Sequence, residues 1–312
     1  MGRHAVLGAA GQMGRLLVPE LQRRGHTIRA LSRDWQGTPH GDEVEHRTAD
    51  ILDPTSLTAA TEGADVLYAV VGLPYAAQVW QRDWPPAMRN LIAAAEANGC
   101  KLVFMDNVYA YGLVAGAMTE ATAYNPCSRK GEVRAQIATE LMDADKAGRI
   151  VASIGRSADF YGPEALLSTF GERFFKGALD KGKAEWLCST KTLHTFNYTP
   201  DNARALATLG EEDAANGKVW HLPSAEALPG DDFIALIGEL IGRSLKPRVL
   251  GRRTIRLAGL FTPLLREIPE MLYQNDHDYV FDSRMFTRTF GQEPTSYRDG
   301  LSATVQWFQS RL

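Results

Sequence analysis

Seven residues near the N-terminus, Gly8-Ala9-Ala10-Gly11-Gln12-Met13-Gly14, constrain this chain more than any other stretch. They follow an apolar run, Arg3–Leu7, and open a helix-like one, Gln12–Arg24. Glycines at such a junction allow a tight turn and a close approach of backbone to a diphosphate. The free N–H groups of the helix start then receive its charge. The spacing is GxxGxxG, not the GxGxxG of the general dinucleotide fingerprint. Between a strand and a helix it points to a dinucleotide, with Gly8, Gly11, Gln12, Met13 and Gly14 as the cradle.

The rhythm that follows agrees with this. Strand-like runs at Thr27–Leu31, Val44–Thr48, Val66–Val71, Leu102–Met105 and Ile150–Ile154 alternate with helical ones at Pro54–Thr61, Pro85–Asn98 and Pro126–Ala147. Val66–Val71 is apolar throughout, as in a strand covered on both faces. This predicts an α/β fold, a doubly wound parallel sheet of Rossmann type. Asp53-Pro54 and Asn125-Pro126 each place a capping side chain before a proline at a helix start. After about residue 156 short extended pieces (184–188, 192–198, 219–222) mix with helices at 201–209, 231–241, 255–265 and 296–311. We therefore expect a dinucleotide-binding domain over 1–160, joined by about 192–222, and a substrate-binding lobe from 161–191 and 223–312. The apolar stretch Leu257–Leu265 reads as a buried or lid helix.

Thirty-four basic and thirty-seven acidic residues nearly balance, so no basic surface for nucleic acid is expected. Cys100, Cys127 and Cys188 lie far apart and suggest neither a disulfide framework nor a zinc site. No run approaches the ~20 apolar residues that span a bilayer, and the N-terminus lacks a signal-peptide pattern. The expectation is a cytoplasmic protein without a metal, monomeric or homodimeric. Asp276-His277-Asp278 with Asp282 reads as a solvated loop rather than a metal cluster.

The second strand ends at Leu31-Ser32-Arg33. An NAD-selective fold usually places an acid there to hold the ribose hydroxyls. A hydroxyl and a guanidinium suit a 2′-phosphate instead, so Ser32 and Arg33 point to NADP, with NAD the less favoured cofactor.

Taken together, the motifs resemble those of the extended short-chain dehydrogenases/reductases, the NAD-dependent epimerase/dehydratase family, over nearly the whole chain. Gly8, Gly11 and Gly14 match its glycine loop, and Asp50-Ile51-Leu52-Asp53 its adenine-side DxxD. Val70-Val71-Gly72 stands where its fourth strand meets the cofactor. Ala110-Tyr111-Gly112 matches its VYG, and Arg156 with Tyr161-Gly162-Pro163 its R…YGP. The resemblance implies that Asp50, Ile51, Val70, Val71 and Gly72 line the cofactor. It also implies that Lys130, the lysine of YxxxK, holds the nicotinamide ribose and activates the catalytic tyrosine.

The chain departs from that pattern where chemistry is done. The YxxxK segment reads Pro126-Cys127-Ser128-Arg129-Lys130, so proline replaces the tyrosine. The catalytic Ser or Thr position holds Asn107. A substitute proton donor is needed. Tyr109 lies two residues beyond Asn107 in an extended segment, so the two side chains share one face; Tyr124, ahead of the helix, is the second candidate. Lys130 is the cation that would make either phenol competent near neutral pH. Asp106 reads as structural. Sugar-nucleotide epimerases often grip a diphosphate with an arginine before a strand; here the stretch is His194-Thr195-Phe196, and a neutral imidazole clamps a diphosphate poorly. Phe160, Phe170, Phe174, Phe175, Trp186, Phe261 and Tyr273 give the lobe an aromatic character; where they line a pocket, the substrate is apolar. The expected function is NADP(H)-dependent reduction of a carbonyl or activated alkene of a small molecule. The alternatives are a non-catalytic NAD(P)-binding regulator and a nucleotide-sugar epimerase/dehydratase.

Overall fold

A computed structural model describes residues 2–35 and 40–311. Its centre is a seven-stranded sheet built from β1 (Arg3–Leu7), β2 (Thr27–Ser32), β3 (Glu45–Thr48), β4 (Val66–Ala69), β5 (Lys101–Asn107), β6 (Ala152–Ser157) and β7 (Lys218–His221). The spatial order is β3-β2-β1-β4-β5-β6-β7, and every pairing is parallel. This is the doubly wound arrangement, whose order reverses between β1 and β4. A crevice opens there at the carboxyl ends of the strands, and it is where such sheets bind ligands.

Both faces are covered, which is why β4 and β6 are buried along their whole length. Helices α1 (Gly14–Arg23) and Thr199–Glu211 cover one face. Helices α2 (Pro54–Ala60), α3 (Ala77–Asn98) and α4 (Arg129–Lys146) cover the other. Asp53 caps α2 as expected, accepting from the amides of Thr55 and Ser56 at 3.0 Å.

Two helix starts differ from expectation. The helix expected at Pro85 begins at Ala77, and the Pro85-Pro86 pair lies inside it. Trp80, Trp84, Met88, Leu91 and Ile92 form one continuous buried stripe, and its burial outweighs the backbone bonds that the prolines remove. The helix expected at Pro126 begins at Arg129, with Ser128 as its cap; the Ser128 Oγ accepts from the Gly131 amide at 3.1 Å. Pro126 therefore lies outside the helix that carries Lys130.

The lobe packs three helices, Glu172–Lys181, Gly230–Leu240 and Tyr297–Gln309, around Phe170, Phe174, Phe175, Trp186, Phe196 and Phe233. Most of the aromatic residues considered as pocket lining are thus core, which removes the support for an apolar substrate. The 257–265 stretch is not one buried helix. It breaks into Arg252–Ala258 and Pro263–Arg266, and Leu257, Leu260 and Phe261 face outward. Gly259 and Pro263 end and restart the helix there. Among the described residues, no helix is long and apolar enough to cross a membrane.

Candidate active site

The glycine loop is shaped by close approach. Gly8 has φ +91°, and a Cβ on it would lie 3.0 Å from the backbone of Val70 and Val71. A Cβ on Gly14 would stand 2.3 Å from the Gly8 carbonyl oxygen. The loop therefore tolerates side chains at neither position: the start of α1 presses on the loop leaving β1, and that loop on the residues just past β4. Among the described residues, no backbone carbonyl accepts from the Gln12 or Met13 amide. These two donors at a helix start fit an anionic diphosphate. The Met13 side chain is buried below the loop, and the Gln12 side chain accepts from the Leu167 amide at 2.8 Å. Both positions thus offer backbone rather than side chains.

Around the crevice, Ser32 donates to the Asp34 carbonyl at 2.8 Å. Arg33 is exposed and makes no hydrogen bond or ion pair with the described residues. The Asp50 carboxylate accepts from the Leu52 amide at 2.9 Å, and buried Ile51 is fixed by Asn90 at 2.9 Å. Val70 continues from β4 through a bond to the Leu7 carbonyl, and Gly72 beyond it is exposed.

At the end of β5 the chain does not stay extended. The Asn107 Oδ1 accepts from the Tyr109 amide at 3.0 Å, and Tyr109–Tyr111 form a 3-10 turn. The expected shared face of Asn107 and Tyr109 is lost, because the Asn side chain offers the backbone a turn instead. Gly112 and Gly131 let this turn sit against the start of α4. A Cβ on Gly112 would meet the Asn125 carbonyl at 2.0 Å, and one on Gly131 the Tyr109 carbonyl at 2.6 Å.

The turn lays the Tyr109 ring on Trp80, 6.1 Å between centroids and 19° apart, with its hydroxyl 3.5 Å from that of Tyr75. Burial, reinforced by the charge of Asp159, pushes the Tyr109 phenol up to about 12. Tyr75 is raised as well, chiefly by burial. Lys130 is fully buried. Its ammonium lies 4.6 Å from the Tyr75 ring centroid, 2.8 Å from a Glu267 carboxylate oxygen and 2.5 Å from one of Glu270. Tyr75 thus connects Lys130 to Tyr109. Sequence reading missed Tyr75, Glu267 and Glu270; only the position of Tyr75 just past β4 could have signalled it.

Tyr124 is committed elsewhere: its hydroxyl accepts from Arg156 at 2.5 Å. Below it Asp106, buried at the end of β5, pairs with Arg134 at 3.3 Å and Arg156 at 3.2 Å. Arg134 lies over the rings of Trp84 (4.3 Å) and Trp80 (4.9 Å). Deeper still, the Tyr111 hydroxyl donates to His221 at 2.7 Å, while His221 donates to the Asp282 carbonyl at 2.8 Å. Across the site His194, 2% exposed, meets Asp159 at 3.0 Å. Among the described residues, no group of three or more His, Cys, Asp or Glu is arranged to hold a metal ion.

The fold has many solved counterparts. The structure of gox2253 superposes with a TM-score of 0.82 at 20% identity, covering 99% of this chain and 98% of that one. UDP-glucose 4-epimerase of Thermus thermophilus, in complex with NAD, gives 0.81 at 16% identity and covers 99% and 100%. DesIV, a dTDP-glucose 4,6-dehydratase of Streptomyces venezuelae with NAD and TYD bound, gives 0.80 at 19% identity and covers 99% and 97%. A search of curated proteins finds no match. The family model for the NAD dependent epimerase/dehydratase family matches residues 4–222, most of the chain. With that match spanning the glycine loop, the Tyr109 turn, Lys130 and the whole sheet through β7, this chain belongs to the NAD dependent epimerase/dehydratase family.

Proposed function

We propose that the protein is an NADP(H)-dependent oxidoreductase that reduces the carbonyl group of a small molecule, with Tyr109 donating the proton. The observation that carries this reading is the Tyr109–Tyr75–Lys130 arrangement at the carboxyl ends of β4 and β5. It supplies a phenol where Pro126 cannot.

A nicotinamide dinucleotide, when bound, supplies the hydride. The amides of Gln12 and Met13 and the glycine loop would hold its diphosphate, and exposed Arg33 with Ser32 its 2′-phosphate. Ile51, Val70, Val71 and Gly72 would form the walls, with Asp50 shaping the adenine-side turn.

Tyr109 is protonated at neutral pH because burial holds its phenol up to about 12. That state suits a donor to a developing alkoxide better than a base for the reverse oxidation. Asn107 spends its Oδ1 on the Tyr109 amide, which leaves its Nδ2 to donate to the same substrate oxygen. Lys130, held by Glu267 and Glu270, orients Tyr75 and through it the Tyr109 hydroxyl. UDP-glucose 4-epimerase and the dTDP-glucose 4,6-dehydratase DesIV, similar in fold, act on nucleotide sugars; a small carbonyl compound is favoured here because Lys130, Arg134 and Arg156 are each matched by a carboxylate.

The test is NADPH oxidation, followed by absorbance, against a panel of aldehydes, ketones and enones. Turnover that Tyr109→Phe abolishes supports the reading. Tight cofactor binding with no turnover of any carbonyl would favour a non-catalytic regulator.

A further inference from the structure

Asp159 leaves β6 two residues beyond Ser157, the register partner of Asn107 on β5. Tyr109 leaves β5 two residues beyond Asn107. The two side chains therefore start from adjacent strand ends, on the carboxyl edge where the proposed chemistry takes place. One Asp159 oxygen, Oδ2, meets His194 Nε2 at 3.0 Å. The imidazole has no freedom. It is stacked on Tyr279 at 4.4 Å and 19°, lies tilted against Phe196 at 4.6 Å, and is 2% exposed. The other oxygen, Oδ1, has no hydrogen-bond partner among the described residues, and the Asp159 side chain is 25% exposed. His194 thus fixes one carboxylate oxygen and leaves the other unpaired in a side chain that is partly exposed.

Among the described residues, no lysine or arginine pairs with Asp159. Lys130 faces two carboxylates, and Arg134 and Arg156 share Asp106. We propose that Asp159, aimed by His194, is the specificity-determining residue: it accepts a hydrogen bond from a substrate hydroxyl and excludes nucleoside diphosphates. The inference rests on the oxidoreductase reading for its substrate, and it deepens that reading to a hydroxy-carbonyl compound. A carboxylate repels a diphosphate in a site of lowered dielectric. A site built to accept from a hydroxyl discriminates strongly against the analogue lacking it.

Two arms test this, and the first needs no turnover. Binding of UDP to the cofactor-loaded protein is measured by equilibrium dialysis for the wild type and Asp159→Asn. Removal of the charge should tighten UDP at least about ten-fold; equal affinity overturns the exclusion role even where no carbonyl is reduced. The second arm compares kcat/KM for glycolaldehyde and propanal, which differ by a hydroxyl against a methyl group. The wild type should favour glycolaldehyde by about ten-fold or more. Asp159→Leu should lose that ratio, and Asp159→Asn, which retains an acceptor oxygen, should keep most of it. A ratio unchanged in Asp159→Leu overturns the recognition role. Failure of the wild type to turn over any aldehyde falls on the oxidoreductase reading, and the UDP arm still decides this one. The His194→Phe variant should mimic Asp159→Leu in the ratio if the imidazole does the aiming.

Discussion

Replacing Asp106 with Asn should destabilise this protein severely. The Asp106 and Arg156 side chains are fully buried and that of Arg134 is 8% exposed. One carboxylate is the counter-charge for two guanidiniums. Breaking a buried ion pair by removing one partner costs about 3–5 kcal/mol, because a desolvated charge is left behind. Here two are left. Some relief comes from the rings: Arg134 lies over Trp80 and Trp84, and Arg156 lies 4.6 Å from the ring centroids of both Tyr111 and Tyr124. Cation–π contacts of this kind contribute about 0.5–2 kcal/mol each, but they are present in the wild type too and do not replace the lost charge. The expected loss is therefore about 3–5 kcal/mol, a fifth or more of the ~5–15 kcal/mol typical of a folded domain. Urea unfolding at neutral pH, followed by both circular dichroism and tryptophan fluorescence, measures it. The double variant Asp106→Asn/Arg134→Met removes one orphaned charge and should recover part of the loss, giving a coupling of about 1–3 kcal/mol in the cycle. A loss below about 1 kcal/mol for Asp106→Asn would refute the argument, since that is the worth of a solvent-exposed pair.

Tyr109→Phe should lower turnover at least about 100-fold, the contribution of a positioned general acid, with cofactor affinity nearly unchanged by titration. Tyr124→Phe should leave turnover largely intact and show instead as a stability loss of about 1–3 kcal/mol, because its hydroxyl serves Arg156. Arg33→Ala should weaken NADPH by about 1–3 kcal/mol in calorimetry while NADH barely changes; tighter NADH than NADPH in the wild type would overturn the cofactor preference. Burial lowers buried His221 to about 3 from its ordinary 6.5, so it stays neutral in the fold. Its unfolded form binds the extra proton first. His221 therefore costs no stability above pH 6.5 and progressively more as pH falls from 6.5 toward 3. The slope approaches about 1.4 kcal/mol per pH unit, and His221→Gln should flatten the acid limb of the stability curve relative to the wild type.

The sheet was legible because its signals are local. Val66-Leu67-Tyr68-Ala69 is apolar on both faces, and Asp53-Pro54 carries its own cap. The glycine loop needs only its immediate neighbours. Where reading failed, a distant contact had overruled a local one. Pro85-Pro86 marks a helix start by local rules, yet the burial of Trp80 and Trp84 against the sheet extends α3 back to Ala77. Asn125-Pro126 looks like a cap, yet the Tyr109 turn fills the space at Gly112 and Gly131, and the helix waits for Ser128.

The site was legible only in part, for a related reason. Position 126 announces the missing tyrosine, and the turn after β5 carries Tyr109, the replacement proposed above, two residues beyond Asn107. What sequence spacing does not encode is how that replacement is supported. Glu267 and Glu270 lie 137 and 140 positions beyond Lys130, and Asp159 and His194 are 35 apart. The Lys130 pairs exist because the chain after β7 folds back over the carboxyl edge of the sheet, and the Asp159–His194 pair because the segment between β6 and β7 brings His194 there. The consequence for chemistry is specific. With two carboxylates upon it, Lys130 is not the free cation that a YxxxK motif supplies, so it cannot pull the phenol down toward neutrality as that motif would. The phenol stays high instead, at about 12. A protonated, buried Tyr109 is a hydrogen-bond donor first and a base hardly at all, and the proposed reductive reading rests on this asymmetry.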